Sequence, residues 1–293
     1  METGREDTRI TKDDKRKFLK RLKVTDADIL HIANCAQRSP DWYEARKYRL
    51  TGSNFGGAAG HYPDKLNKTP KSVLHDMLWP GSFKGSAATR YGTDREPLIH
   101  QVVETFMHTR RSNPDTQKVW LEECGLIVSK EHPWLGVSPD DFILIYDSQK
   151  KEYDIGLAEY KAPYQTKYFY DSCPHYYYDQ FQGQMALARS YLRIRYPDVQ
   201  LSEQSGTWTK FCVWSPNATQ VNHYTLDEAY WQTLFETLRN FYMNEMLPRF
   251  ILKERGVLQE GAVDIEPIVK LNLPPMTGLA AFMAPSHEQP PTV

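Results

Sequence analysis

From Val137 to Pro163 the sequence leaves little choice but a β-hairpin. Ser138-Pro139-Asp140-Asp141 opens an apolar run, Phe142 to Tyr146, and a polar turn from Asp147 to Asp154 separates it from Leu157-Ala158-Glu159-Tyr160-Lys161-Ala162-Pro163. Two short β-forming runs split by turn-forming polar residues pair as antiparallel strands. Side chains two apart on a strand share a face, so Glu159 and Lys161 point the same way. Asp140, at the mouth of the partner strand, is placed to join them.

The rest of the pattern puts helices around that hairpin. Thr25 to Gln37 reads as a capped helix, Ser39-Pro40 as a turn into a short helix carrying Arg46, and Thr69-Pro70 as the start of a helix through Leu78. A stronger helix is expected from near Thr93 to about Thr109, with Pro97 tolerated in its first turn and an apolar stripe at Leu98, Ile99, Val102, Val103, Phe106 and Met107. Strands are expected at Lys118–Leu121, Gly125–Ser129, Thr207–Trp214 and Gln220–Tyr224. Further helices run from Pro174 to about Tyr191 and from Leu226 to about Leu247. This order suits an α/β fold, a mixed central β-sheet flanked by α-helices. Content of 40% hydrophobic and 13% aromatic residues is too apolar for disorder. We expect a basic N-terminal arm over 1–24, one domain over 25–253, and a Pro-rich tail over 254–293.

Net charge decides little. The formal value is −1, and a locally basic surface is compatible with a neutral total. Lys15-Arg16-Lys17, Lys20-Arg21 and Lys23 read either as a solvated helix face or as a contact to DNA backbone or a nuclear-localisation patch. Cys35, Cys124, Cys173 and Cys212 are far apart and lack the spacing of a zinc or iron–sulfur site. There is no apolar run of membrane-spanning length and no secretory pattern at the charged start. A chain that stays inside the cell, in cytoplasm or nucleus rather than secreted, and off the membrane is therefore expected.

One Asp, one Glu and one Lys converging on a sheet end suit metal-assisted phosphodiester hydrolysis. That reaction needs a hydroxide delivered in line with the leaving oxygen and neutralisation of the charge that builds on the phosphate. Two divalent ions do both. Mg²⁺ takes oxygen ligands and keeps waters, so Asp140, Glu159 and the Tyr160 carbonyl are sufficient protein ligands, and Mn²⁺ is an acceptable substitute. Lys161 is suited to orient the attacking water and favour its deprotonated form.

Five motifs in order make the case more specific. They are Trp42-x-x-x-Arg46 with Thr51-Gly52-Ser53, Tyr91-Gly92-Thr93-Asp94-Arg95-Glu96, Val137-Ser138-Pro139-Asp140, Ala158-Glu159-Tyr160-Lys161-Ala162-Pro163, and Gln180-Phe181-Gln182-Gly183-Gln184-Met185. In these the chain resembles the phage lambda exonuclease and YqaJ-type viral recombinase branch of the PD-(D/E)xK nucleases, over roughly residues 38 to 250. The resemblance implies a restriction-endonuclease-like core with metal at Asp140 and Glu159, a water-assisting Lys161, and a carboxylate from Glu96 near the ions. It also implies that Gln182 contacts the site or the DNA, and that Arg46 and Ser53, beside Trp42, receive a 5′-phosphate. An Arg fork plus a hydroxyl suits a terminal phosphate dianion.

The activity so implied is Mg²⁺-dependent exonuclease digestion of duplex DNA ends, 5′→3′, leaving 3′ overhangs for recombination or repair. A single-strand annealing protein as partner and a ring-like homo-oligomer go with it. The alternatives are a structure-specific or repair endonuclease of the same superfamily, and a non-catalytic DNA-binding module that kept the fold. Where the family often has Gly after Ser-Pro-Asp, this chain has Asp141, read here as a turn residue in preference to a partner for the site. Gly56-Gly57-Ala58-Ala59-Gly60-His61 reads equally as a loop approaching DNA or as a helix-packing bend. The rings of Tyr168-Phe169-Tyr170 and Tyr176-Tyr177-Tyr178 read as packing groups before base-stacking ones, with Lys167 and His175 near enough to touch phosphates. His108, His132 and His223 are read as structural.

Overall fold

Alternation along the hairpin divides the interior in two, and each half recruits a helix. The computed structural model describes residues 9–82, 85–164, 169–170 and 172–260. Lys167, Tyr168, residues 1–8 of the expected arm and 261–293 of the expected tail lie outside them. In chain order the elements are α1 (Lys12–Arg21), α2 (Asp26–Ala33), α3 (Pro40–Arg46), β1 (Leu50–Thr51), α4 (Phe55–Ala59), α5 (Pro70–Leu78) and α6 (Ala87–Thr109). They continue as β2 (Gln117–Glu123), β3 (Ile127–Val128), β4 (Leu135–Val137), β5 (Asp141–Asp147), β6 (Glu152–Lys161) and α7 (His175–Arg195). Last come β7 (Trp208–Ser215), β8 (Ala218–Thr225), α8 (Glu228–Phe241) and α9 (Leu247–Glu254).

Among the described residues the main sheet has the order β2-β5-β6-β7-β8, antiparallel throughout except for the parallel β6–β7 pair. It is the mixed, helix-flanked sheet that the sequence implies. Ile155 and Leu157 of β6, with Phe142 and Leu144 of β5, face Phe181, Met185 and Ala188 of α7 in the larger core. Ala158 and Tyr160, with Ile143, face Ile99, Val103 and Met107 of α6 in a second core. The hairpin is thus clasped between α6 and α7. A smaller sheet, β1-β4-β3, was not expected as a separate unit. Its strand β4 delivers the chain through Ser138-Pro139 to Asp140.

Several boundaries move. Helix α6 starts at Ala87, where Ser86 caps it by accepting from the Thr89 amide at 3.1 Å. Pro97 therefore sits inside the helix, not in its first turn, and Leu98 of the expected stripe is 41% exposed. Residues 12–21 of the expected arm are helix α1. Thr11 and Asp14 form a capping box that starts α1, and Phe18 and Leu22 of this segment are buried in the larger core. Arg21 makes two hydrogen bonds, of 2.8 and 2.7 Å, to Glu254 of α9, so its charge faces protein. Beyond 253, Leu258 is buried in the same core. The expected long C-terminal helix continues to Glu254 through a π-helical turn at Tyr242–Met246. That turn accommodates Pro248, which lacks an amide hydrogen to donate.

The glycine-rich stretch is helix α4, and its five residues are buried. A Cβ on Gly56 would lie 2.5 Å from Tyr176 Cβ and 2.6 Å from its Cα, so the glycine lets α4 touch α7. Of the two readings of this stretch, helix packing is the one observed.

Candidate active site

Where β5 begins and β6 ends, the chain forms a cavity of about 530 Å³ lined by Asp140, Glu159, Lys161, Glu96, Arg46 and Ser53, with Trp42 at its wall. Three acids meet here, Asp140 just ahead of β5, Glu159 from β6 and Glu96 from α6. The Asp140 amide donates to the Ala158 carbonyl at 3.1 Å, the last ladder bond before β5 gives way. One residue pair further on, Asp140 Oδ2 accepts from the Tyr160 amide at 2.6 Å, in place of a strand carbonyl. A strand residue presents its N–H and C=O to the same edge, so the Tyr160 carbonyl faces Asp140 as well.

Glu159 is 2% exposed and fully engaged. Lys161 Nζ and Gln180 Nε2 donate to its Oε1, the glutamine at 2.7 Å, and Gln184 Nε2 donates to Oε2 at 2.7 Å. Gln180 and Gln184 stand one turn apart on α7, which packs on the face of β6 that carries Glu159. Gln182, which the resemblance places at the site, is on the other side of that helix. It donates to the Thr225 carbonyl at 2.9 Å, accepts from the Asp227 amide at 2.8 Å, and does not line the cavity. Helical period decides this, and the i, i+4 pairing of Gln180 with Gln184 was the signal available in the sequence.

Charge is unevenly matched in the cavity. Burial and the nearby Glu159 push the Asp140 carboxyl well above the usual carboxylate range, against the pull of Lys161 and the Tyr160 amide. Lys161 is held above the ordinary lysine value: burial opposes its charge, and Glu159 and Asp140 outweigh it. Glu96 is claimed by Arg38, which reaches both its oxygens at 2.6 Å. Among the described residues Asp140 has no ion-pair partner. A group of hard carboxylate oxygens with more negative than positive charge fits a divalent cation, and Asp140, Glu159 and the Tyr160 carbonyl are the residues to hold one.

The opposite wall has the reverse imbalance. Arg46 donates to Thr51 Oγ1 at 2.8 Å and lies 4.2 Å from the Trp42 ring centre, and burial draws its guanidinium down to about 10. Lys68, which the sequence reading missed, donates to the Ser53 carbonyl at 2.5 Å. Burial takes its ammonium down to about 8, against attraction from Asp76, with Lys161 and Arg46 adding repulsion. No carboxylate among the described residues forms an ion pair with either. Arg46, desolvated and without an ion-pair partner among the described residues, prepares this wall for an anion, and Lys68 adds positive charge behind the lining, at the Ser53 carbonyl. Trp42 helps frame it, its Nε1 donating to Ser138 Oγ at 3.2 Å.

Behind the site, Asp141 is no turn residue. It is 1% exposed and begins β5, its Oδ2 accepting from the Tyr160 hydroxyl at 2.5 Å and facing His100 Nδ1 of α6 at 2.8 Å. Adjacent strand residues face opposite sides, so Asp140 enters the cavity and Asp141 the second core. His175, expected near phosphates, instead meets the Tyr230 hydroxyl at 2.7 Å, and Tyr230 donates to Asp179. Asp179 also binds His61 Nδ1 at 2.6 Å. The ligand atoms of His61, His175 and Asp179 lie within 4.8 Å of one another. The two rings, however, stack 3.6 Å apart at 13°, so their in-plane lone pairs run nearly parallel and do not meet at one ion. The group is a hydrogen-bonded clamp joining the end of α4 to α7 and α8. Tyr177 carries Lys161 Nζ 5.0 Å from its ring centre, and Tyr176 stacks on Tyr62 at 4.0 Å, both packing roles.

With this geometry in place, the family follows from sequence comparison. The profile of the YqaJ-like viral recombinase domain matches residues 41–190, the stretch from α3 to α7 that builds the cavity. The chain belongs to that family. A search of curated proteins finds no match. Among solved structures it is similar to LHK-Exo, an alkaline exonuclease from Laribacter hongkongensis, at 19% identity over 74% of this chain and 98% of that one, with a TM-score of 0.49. A structure of LHK-Exo in complex with dAMP gives 17% identity over the same shares, with a TM-score of 0.48. Among the described residues no helix is long and apolar enough to cross a membrane.

Proposed function

We propose that this chain is a metal-dependent DNA exonuclease with a restriction-endonuclease-like core. In this reading it removes nucleotides from duplex ends in the 5′→3′ direction and leaves 3′ overhangs. The observation that carries the reading is the convergence of Asp140, Glu159 and Lys161 on one cavity, with Asp140 and Glu159 held in fixed orientation by the Tyr160 amide and two glutamines. Mg²⁺ held there by Asp140, Glu159 and the Tyr160 carbonyl, two ions in all, would supply Lewis acidity and an activated water. Lys161 keeps its proton, orients the attacking water through Nζ and offsets charge growing on the phosphate. Glu96, on the cavity-facing side of α6, adds a further acceptor once it is released from Arg38.

Polarity follows from the cationic wall. Arg46 and Ser53 supply a fork and a hydroxyl, with the Lys68 cation behind them on the Ser53 carbonyl, a set that favours a terminal phosphate dianion over a hydroxyl. The family resemblance extends the proposal to a homo-oligomer and to a single-strand annealing protein as partner. Linear duplexes labelled at the 5′ or the 3′ end, incubated with Mg²⁺, test the reading directly. Early release of the 5′ label, with closed circular DNA left intact, is expected. Nicking of the circle would replace the exonuclease by an endonuclease, and absence of cleavage with Mg²⁺ and Mn²⁺ would remove catalysis altogether.

A further inference from the structure

Beyond Lys161, the chain passes through Ala162 and Pro163 and brings Tyr164 to the wall of the same cavity. Tyr164 is 49% exposed, whereas Tyr160 and Tyr177 nearby are packed. It meets Tyr91 of α6 at 5.4 Å with planes 67° apart. An edge-to-face contact covers at most one face of a ring, so Tyr164 keeps a flat apolar face uncovered. The Arg95 guanidinium lies 5.0 Å from the centre of the Tyr91 ring and braces it.

Next to Tyr91, Gly92 lines the cavity one helical turn before Glu96. Glycine is the poorest helix former apart from proline, yet this one sits inside a 23-residue helix. Close packing does not demand it, because a Cβ there would meet no heavy atom within 4 Å. Its missing side chain instead widens the cavity beside the exposed ring.

We infer that Tyr164, with Tyr91 and Gly92, forms a slot for an unstacked nucleobase, that of the 5′-terminal nucleotide of the strand being cut. The inference rests on the nuclease reading above and adds a subsite to it. A cavity of about 530 Å³ falls in the range that encloses a small ligand, and it already offers a cationic wall for the terminal phosphate and acids for the scissile one. The base between those two phosphates needs a surface once it leaves the duplex stack. Tyr164 offers it a π-face, which accepts any of the four bases and so imposes no sequence preference.

The test uses the full chain with 5′-phosphorylated duplexes whose 5′-terminal residue is either 2-aminopurine or an abasic sugar, bound in Ca²⁺ and then cut in Mg²⁺. Wild type and Tyr164→Phe are expected to change the 2-aminopurine fluorescence on binding, and Tyr164→Ala is not. Tyr164→Ala should also lower kcat/KM on the base-bearing end by on the order of 5- to 100-fold, the effect of removing one base–aromatic stack. On the abasic end the variant and wild type should be equal, which separates stacking from general damage to the fold. Equal losses on both ends, or a fluorescence change in Tyr164→Ala as large as that of wild type, would overturn the slot while leaving the nuclease reading in place. A wild-type chain that releases the 3′ label first, or cuts neither end, overturns both.

Discussion

Replacing Lys161 by Met removes the ammonium and keeps the rest of the side chain's length, and it strips the buried Glu159 carboxylate of its cation. Glu159 is 2% exposed at its side chain and Lys161 22%, so neither is well hydrated. Breaking one side of a buried ion pair costs about 3–5 kcal/mol. Gln180 and Gln184 still donate to the carboxylate at 2.7 Å each, which places the expected loss near the lower end, about 3 kcal/mol. For a domain of this size that corresponds to a fall in Tm of roughly 6–12 °C. Thermal melts and urea titrations without added metal at pH 7 measure it. Adding Glu159→Gln to Lys161→Met should recover most of the loss, because a neutral amide no longer strands a buried charge. Cleavage should fall on the order of 10²–10³-fold in the single variant, with duplex binding retained. Should Lys161→Met melt within 2 °C (about the shift expected from 0.5–1 kcal/mol) of wild type, or the double variant be as unstable as the single, the buried-pair account of this site is wrong.

Gln184→Ala should weaken Mg²⁺ or Mn²⁺ binding by about 10- to 100-fold in calorimetry, as loss of a group that orients a ligand does. Gln182→Ala should leave that affinity alone and lower only stability; the reverse pattern would restore Gln182 to the site. Burial takes Lys68 from the ordinary 10.5 to about 8, so it is charged below that pH and neutral above. Preference for 5′-phosphate over 5′-hydroxyl ends should therefore decline from pH 7 to 9, and Lys68→Met should abolish the decline. Because the folded chain binds fewer protons there than the unfolded one from about 8 to 10.5, the contribution of Lys68 to stability should rise with pH across that window. Gly56→Ala should cost about 1–3 kcal/mol through overlap with Tyr176. Unchanged stability with weaker DNA binding would instead favour the DNA-contact reading of that stretch.

Period-two and period-3.6 patterns are local, and what depends on them was legible from the residues. The hairpin, its shared Glu159–Lys161 face, the caps at Thr25 and Thr69, and the stripe facing α6's core could be read directly. Gln180 and Gln184 could have been, since their spacing is a helical turn. Asp141 could not: its burial depends on His100, far away in sequence, crossing behind the sheet. Lys68 was equally hidden, because a lysine in a loop is ordinary until the fold desolvates it. The start of α6 was misplaced for another reason. Pro97 weighed toward a helix beginning beside it, and the Ser86 cap with the packing of Ile99 and Val103 overrode that preference.

The adjacent carboxylates of Asp140 and Asp141 leave one strand end in opposite directions, and each is tied to Tyr160, one to its amide and the other to its hydroxyl. Asp141 also grips His100, a single helical turn along α6 from Glu96. Front and back of the sheet are thereby linked in a closed circuit with no slack member. A substitution at His100 or Asp141, at the rear of the sheet, therefore reaches Asp140 at its front through Tyr160 and the shared strand end.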